Sequence, residues 1–260
     1  LNPGDYGTVY FTIKIMDTAT PGGEVITIAK LSSEKGWVRD SDAAQVCCWC
    51  DTVYVDAAAY GGFGSNGASW HGAYKKLTQA LERITATGCG DEIWVAKGTY
   101  YPNQGSSFEM IEGVGIYGGF AGEPEETTLA ARDILKNKTR LNANGGSYAV
   151  TAENIENAVL DGVTVTGAQS AAVRVISSDA AISSCVIAGN ADGIELAGGS
   201  ELMLSKSLIS DNGNDGVNVS YSKFGISLTM LRSNLGSGIK VNSLSAASAI
   251  NDSIIAANIG

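Results

Sequence analysis

Asparagine residues recur at a nearly fixed distance in the carboxyl-terminal half of the chain. Asn190, Asn212 and Asn234 are separated by 22 residues each, and Asn258 follows after 24. An apolar residue stands three positions before each asparagine and keeps the same steps: Ile187, Ile209, Leu231 and Ile255. A repeat of this length cannot bury its own apolar face and has to stack on its neighbours, so the period predicts a solenoid.

Within each repeat, apolar and polar residues alternate. The pattern is clearest in Val173-Arg174-Val175, Ile194-Glu195-Leu196, Val217-Asn218-Val219 and Ile239-Lys240-Val241. Alternation is typical of a strand with one buried face, and the Asn, Gly, Asp and Ser residues between the strands favour turns. We therefore predict an all-β parallel β-helix with coils of about 22 residues, in which each strand pairs with its equivalent one coil later.

Composition and charge exclude some partners. The chain has 260 residues and a formal net charge of −10. This charge argues against nucleic acids and anionic membrane surfaces, which are bound through clustered Lys and Arg. It also disfavours acidic polysaccharides unless calcium intervenes. No apolar run reaches the length of a membrane span, and the chain begins with Leu1, so we expect a piece of a longer product.

Residues 1–50 have a different pattern. A turn at residues 1–5 precedes the β-rich run Thr8–Ile15, and a second run follows at Val25–Ala29. The Leu-Asn-Pro-Gly-Asp turn and these runs resemble the final strands of immunoglobulin-like modules that are repeated in bacterial and archaeal surface proteins. Two or three strands do not make a sandwich alone, so we expect further sequence or another chain to complete the sheet.

A second region begins near residue 51. Asp51–Asp56 is predicted to be a strand, and apolar residues spaced three and four apart predict an amphipathic helix at about residues 70–85 with Ser69 as its cap. Such a helix would close one end of the solenoid. The domain prediction is thus residues 1–50 and residues 51–260.

Several motifs in the second region carry a resemblance to a known family. They are Tyr54-Val55-Asp56, Ser69-Trp70 with the helix, Gly90–Tyr100, Val114–Glu123, Arg132-Asp133 and Thr139-Arg140-Leu141. They resemble the opening of the secreted right-handed β-helix repeat proteins of the pectin-lyase-like superfamily, over roughly residues 51–260. The resemblance implies a right-handed solenoid. It implies little about activity, because this group contains proteins with no assigned chemistry as well as lyases, hydrolases and epimerases of polysaccharides.

Candidates for catalysis are few. Enzymes of this group use a Lys or Arg base beside carboxylates that hold calcium, or clustered Asp residues. The matching side chains here are Lys206, Arg232, Asp211 and Asp215. Asp192 lies one coil before Asp215, but the next equivalent is Ser237, so the register forms no cluster of three carboxylates. The sequence favours solvated turn residues over a catalytic set.

Residues 211–216 are a candidate calcium site. Asp211, Asn214 and Asp215 offer the hard oxygen ligands that calcium prefers, but Ser222 stands where an EF-hand loop places its bidentate Glu. The simpler interpretation is a polar turn. We expect no cofactor, with calcium as the one exception to test.

One outward column is the candidate binding face. Arg174, Glu195, Asn218 and Lys240 occupy equivalent positions on successive coils. Arg174 is expected to form a modest exposed pair with Glu195. The asparagine series is expected to form a structural ladder of amide hydrogen bonds.

The cysteines leave several alternatives open. They are Cys47, Cys48, Cys50, Cys89 and Cys185, an odd number that leaves at least one thiol unpaired within the chain. The Cys47-Cys48-Trp49-Cys50 stretch is too tight for a zinc knuckle, and one of its thiols is free to meet Cys89 or an upstream partner.

These observations favour a non-enzymatic extracellular or cell-surface component, a rigid structural or adhesive protein with carbohydrate as a candidate ligand. The alternative is a polysaccharide lyase or glycoside hydrolase, and a third is a subunit of a surface assembly. We expect no nucleic-acid partner and no membrane insertion, and further polypeptide or subunits at both ends of the segment.

Overall fold

The computed structural model describes residues 52–59 and 65–260 in full, together with the backbone of residues 24–33 and 36–45. The chain divides into two compact units, residues 1–49 and 50–260. In the first unit, strands β1 (Glu24–Ser33) and β2 (Gly36–Gln45) form an antiparallel pair over ten residues each. The predicted strand Val25–Ala29 lies within β1. The predicted run Thr8–Ile15 and the cysteines at 47, 48 and 50 lie outside the described residues.

The second unit is a parallel β-helix. Its elements in chain order are β3 (Thr52–Val55), α1 (Leu77–Thr87), β4 (Glu92–Ala96), β5 (Gly98–Tyr100), β6 (Phe108–Glu109), β7 (Gly115–Phe120), β8 (Thr139–Asn142), β9 (Tyr148–Glu153), β10 (Ala158–Asp161), β11 (Val163–Thr166), β12 (Ala171–Ile176), β13 (Asp179–Ser183), β14 (Val186–Ala188), β15 (Asp192–Ala197), β16 (Glu201–Ser205), β17 (Leu208–Ser210), β18 (Val217–Val219), β19 (Lys223–Ser227), β20 (Met230–Arg232), β21 (Ile239–Val241), β22 (Ala249–Asn251) and β23 (Ile254–Ala256). A single 3₁₀ turn, Leu129–Ala131, lies between β7 and β8.

Three sheets form the walls of the solenoid. Sheet 1 has eight strands in the order β3-β4-β7-β10-β13-β16-β19-β22, sheet 2 has seven in the order β5-β8-β11-β14-β17-β20-β23, and sheet 3 has six in the order β6-β9-β12-β15-β18-β21. Strand partners within each sheet are parallel and belong to successive coils. The predicted all-β right-handed parallel β-helix is therefore confirmed.

The apolar stack predicted from the repeat is present. Ile187 pairs with Ile209 and Ile209 with Leu231, and each of the three side chains is 0% exposed. Ile255 keeps the register beside Leu231 but is 46% exposed, because it lies in the last coil that the structure describes and is covered from one side only. The core therefore depends on contact between consecutive coils.

The capping helix begins later than predicted. It spans Leu77–Thr87, whereas the spacing of apolar residues predicted a start near Trp70. Tyr74 instead forms a parallel bridge with Val55, and its amide donates to the carbonyl of Tyr54, so the segment before the helix is extended along β3. Ser69 is thus not the cap, and the amide of Lys76 donates to Gln79 Oε1 at the true start. The buried face of α1 joins the core at the end of the solenoid marked by β3.

Trp70 belongs to a second, smaller apolar cluster outside the solenoid wall. Its ring contacts Tyr54 and Phe120, with centroids 4.8 and 5.2 Å apart, and Phe120 stacks on Trp94 at 4.7 Å. The loop that follows β7 covers this cluster. It is held by the buried carboxylate of Glu126, which accepts the amides of Ala121, Gly122 and Glu123 at 2.8–3.0 Å.

The predicted asparagine ladder is confirmed at the corner between sheets 2 and 3. Asn190 Nδ2 donates to Asn212 Oδ1 at 3.1 Å, and Asn212 Nδ2 donates to Asn234 Oδ1 at 3.0 Å. The contact from Asn234 to Asn258 continues the series at 2.9 Å. Each side-chain amide also donates to a strand carbonyl of the preceding coil, as Asn212 does to Ile187 at 3.2 Å. The ladder therefore satisfies main-chain groups that the turn leaves unpaired.

Hydroxyl ladders occupy the other two corners and were not predicted from the sequence. Between sheets 3 and 1, the amide of Ser178 donates to Ser200 Oγ and that of Ser200 to Ser222 Oγ, both at 3.1 Å. Between sheets 1 and 2, the equivalent acceptors are Ser207 Oγ, Thr229 Oγ1 and Ser253 Oγ. Every corner of the coil is thus closed by a side chain that bonds to the neighbouring coil.

Ile209→Asp should lower the free energy of unfolding by about 4 kcal/mol or more, because it buries an unpaired charge in the stack. Equilibrium urea unfolding measures this loss. The control is Asn218→Asp, which adds the same charge to an outward position of the same coil and should change stability little. Equal stability of the two variants would contradict the described register.

Asn212→Ala should cost about 4 kcal/mol, because the buried amide makes four hydrogen bonds and each contributes about 1 kcal/mol net. Asn214→Ala removes an exposed side chain from the same corner and is the matched control. The difference between the two urea midpoints is the measured quantity, and a difference near zero would mean that the ladder is not stabilising.

Candidate functional site

The predicted binding column lies on the outer face of sheet 3. Register pairs align Arg174 with Glu195, Glu195 with Asn218, and Asn218 with Lys240. The column continues in the other direction, where Arg174 aligns with Thr151 and Thr151 with Glu109. The structure therefore brings the four predicted residues into one line and adds two more polar residues to it.

Arg174 is the centre of the charges on this face. Its guanidinium pairs with Glu153, and its Nε lies 3.4 Å from Glu195 Oε2, as predicted for Glu195. The same guanidinium lies over the ring of Tyr148, 5.1 Å from the ring centroid. The arginine side chain is 29% exposed and the two glutamates 46% and 36%, so solvent reaches most of the group, but Arg174 Nε is buried and makes no hydrogen bond to any described residue. Such partly exposed pairs orient side chains more than they stabilise the fold.

Tyr148 is coupled to these charges. Burial raises the pKa of Tyr148, the negative charge of Glu195 raises it further, and Arg174 opposes this by lowering it. The hydroxyl of Tyr148 is therefore protonated at neutral pH and donates to Glu195, and its oxygen can still accept a hydrogen bond.

A cleft of about 590 Å³ opens beside this group. Its floor is the start of sheet 3, with Glu109, Thr151 and Arg174, and its rims are the loops at residues 105–107 and 145–147. Ser107 Oγ lies 2.8 Å from Thr151 Oγ1 and links one rim to the floor. Tyr148 and Glu153 complete the lining. The carboxylates of Glu109, Glu153 and Glu195 outnumber the single guanidinium, so this end of the face is net negative.

The four catalytic candidates lie at or beside the corners of the coils. Lys206 and Asp211 are exposed corner residues with φ of 49° and 56°, on either side of β17, and Arg232 is the exposed last residue of β20. Among the residues that the structure describes, no side-chain hydrogen bond or ion pair joins any two of Lys206, Arg232, Asp211 and Asp215. The four side chains therefore occupy turn and strand-end positions, and the described contacts do not join them into one catalytic site.

The calcium candidates are engaged elsewhere or exposed. Asp215 is mostly buried, its Oδ1 accepts the amide of Ser237 at 2.8 Å, and its Oδ2 lies 3.4 Å from Lys240 Nζ. Asn214 and Asp211 face solvent. Within residues 52–59 and 65–260, no group of three or more His, Cys, Asp and Glu side chains is placed to hold a metal ion.

The two cysteines with described side chains differ in state. Cys89 takes part in a disulfide bond, and Cys185 is a buried free thiol. Burial raises the pKa of Cys185 to about 12, so this thiol is unreactive at neutral pH.

Comparison with known proteins agrees with this architecture. The family model described as the right handed beta helix region matches residues 125–260. The chain belongs to this family. The β-helix protein is also similar in fold to pectate lyase Pel9A, with 12% sequence identity and a TM-score of 0.50. This likeness covers 70% of the chain and 54% of the pectate lyase structure, so the chain spans about half of that protein.

No curated protein matched the sequence at a significant level. Among its described residues, the β-helix protein has no helix that is long and apolar enough to cross a membrane.

Several residues of the cleft were not predicted from the sequence. Glu109, Tyr148, Thr151 and Glu153 precede the regular repeat, so the 22-residue period gave no signal for them. Tyr148 aligns with Ala171 in the next coil, which shows that the column is not aromatic. An aromatic residue at a strand start beside an Arg on the next strand is the signal that could have identified the site.

Arg174→Met should raise the pKa of Tyr148 still further, because it removes the group that lowers it and leaves Glu195 and Glu153 unopposed. NMR titration of ring-labelled tyrosine, assigned with Tyr148→Phe, measures this shift. Lys223→Met removes an ion pair with Glu201 on sheet 1 and is the control. The described cluster would be contradicted if the Tyr148 resonance titrated identically in the parent protein, in Arg174→Met and in Lys223→Met.

Proposed function

We propose that the protein is a non-enzymatic extracellular or cell-surface β-helix that binds a neutral glycan in the cleft of sheet 3. The observation that carries the proposal is the cleft beside Tyr148 and Arg174. It offers an aromatic ring next to fixed hydrogen-bonding groups on a rigid sheet, which is the usual composition of a site for a polar, uncharged ligand. The solenoid would act as the scaffold that presents this cleft.

Charge supports a neutral ligand over a uronate polymer. Arg174 is the cation of the cleft, and Glu153 and Glu195 already compensate it. A ligand carboxylate would have to displace one of them and would also meet Glu109. The net charge of −10 on the whole chain opposes acidic polymers in the same way. Hydroxyl groups of a neutral sugar, by contrast, fit both the carboxylate acceptors and the Tyr148 hydroxyl.

A binding role is also supported by the separation of the catalytic candidates. Lys206 lies beside Leu228 and Asp252 on the side of sheet 2, whereas Asp215 pairs with Lys240 at the edge of sheet 3. A base and its charge partners have to approach one substrate atom together. The likeness to a pectate lyase concerns the fold, and folds of this kind carry several functions. The lyase or hydrolase alternative is therefore left to the experiment.

The expected outcome is binding of neutral polysaccharide without turnover. The protein should be retained by neutral polysaccharides more strongly than by pectate or alginate in affinity electrophoresis. Tyr148→Ala should weaken retention by about tenfold or more, since loss of one well-placed aromatic contact is worth about 1.5 kcal/mol. Tyr221→Ala, which removes a tyrosine that is 72% exposed at a corner away from the cleft, is the matched control.

Two results would overturn the proposal. One is retention that Tyr148→Ala and Tyr221→Ala reduce equally. The other is release of unsaturated products or reducing sugars from any of the polymers, with or without calcium, if Lys206→Ala or Arg232→Ala abolishes it; this would favour the enzyme alternative.

A further inference from the structure

An apolar column runs along the outer face of sheet 2. Val186 aligns with Leu208, Leu208 with Met230, and Met230 with Ile254, so four successive coils place an apolar side chain outward. Ile254 is 55% exposed, and the first three are partly exposed. On sheet 3, the outward column that contains Arg174, Glu195, Asn218 and Lys240 is polar. The outward column of sheet 2 is apolar by comparison.

The surroundings enlarge the apolar surface. Leu228, at the corner beside the column, is 57% exposed, and Leu135 from the loop before β8 is 83% exposed. Together these side chains border a groove of about 520 Å³ that Cys185, Ser207 and Thr229 also line. Contiguous apolar patches of this kind on a folded protein mark interaction sites.

Three charged residues line this groove, Lys138, Lys206 and Asp252, and the last two flank Leu228. Lys206, Leu228 and Asp252 occupy equivalent corner positions on three successive coils, each with positive φ. Coils are about 4.8 Å apart, so Lys206 and Asp252 lie about 5 Å to either side of Leu228 along the solenoid axis. Neither charge has an ion-pair partner in the part of the chain that the structure describes.

This arrangement is complementary to itself. A two-fold axis through Leu228, perpendicular to the solenoid axis, exchanges the positions of Lys206 and Asp252. It therefore sets each lysine opposite the aspartate of a second copy, sets Leu228 against its own counterpart, and places the coil of Leu208 opposite the coil of Ile254. Two copies related in this way make one isologous contact that closes on itself.

We infer that the outer face of sheet 2 is the contact between two antiparallel copies of this chain, centred on Leu228 and bordered by two Lys206–Asp252 ion pairs. The apolar column supplies the buried area, and the charges fix the orientation, because a parallel arrangement would oppose like charges. This contact goes beyond the proposed glycan binding. The cleft on sheet 3 contributes none of these residues.

Sedimentation equilibrium of the full chain tests the inference, with dimerisation expected in a concentration-dependent manner. Leu228→Asn should weaken the dimer by about tenfold or more, because it removes the central apolar contact. Asn tolerates positive φ, so the fold should survive, as circular dichroism and thermal melting would show. Tyr221→Asn is the control, since Tyr221 is also exposed and has a φ of 49° but lies at a different corner.

A charge exchange tests the orientation. Lys206→Asp and Asp252→Lys should each weaken the dimer, and the double variant should restore it. A chain that stays monomeric up to its solubility limit would overturn the inference, as would a dimer that Leu228→Asn and Tyr221→Asn affect equally. Failure of the double variant to restore dimerisation would also overturn it. Association that Ile259→Asn abolishes and Leu228→Asn leaves intact would assign the contact to the end of the solenoid instead.

Discussion

Parallel pairing between equivalent strands of consecutive coils is the interaction on which the whole structure depends. A coil has no core of its own. The side chain of Ile209 is fully buried because Ile187 and Leu231 cover it from the two adjacent coils. Ile255 is in the same register but has a neighbouring coil on one side only, and it is partly exposed. Burial of this position therefore requires a coil on both sides. The repeated register therefore creates the core, and it also lines up the outward side chains into columns.

The corners are where this pairing is hardest to maintain. The chain has to turn between sheets within a few residues, and it does so with left-handed backbone at Ser184, Lys206, Leu228 and Asp252, where φ lies between 47° and 54°. Such conformations are unfavourable for residues other than Gly, Asn and Asp. Ladders of Ser, Thr and Asn side chains offset this cost by forming hydrogen bonds with the main chain of the preceding coil. These four corner residues share a backbone conformation, but their side chains differ in chemistry. The residue type at this corner can therefore change from coil to coil.

The sequence predicts those parts of the structure that the repeat encodes. Asn190, Asn212 and Asn234 fix the period, and the period in turn predicts the ladder, the apolar stack and the alignment of Arg174 with Lys240. The predicted helix start was wrong because Trp70 and Tyr74 follow helical spacing by coincidence. The side chain of Trp70 belongs to an aromatic cluster, and the backbone of Tyr74 forms a bridge to β3. Glu126 could not be predicted, because the amides that its carboxylate binds belong to a loop outside the repeat.

The three ladders also determine how the rod responds to twisting. A ladder at one corner would act as a hinge line about which two coils could rotate. With Ser200, Ser207 and Asn212 each bonded to the adjacent coils at three separate corners, a rotation of one coil against the next strains all three lines of bonds at once. Torsional stiffness therefore arises from side chains that contribute nothing to the apolar core, and it is distributed evenly along the ladder-bearing coils.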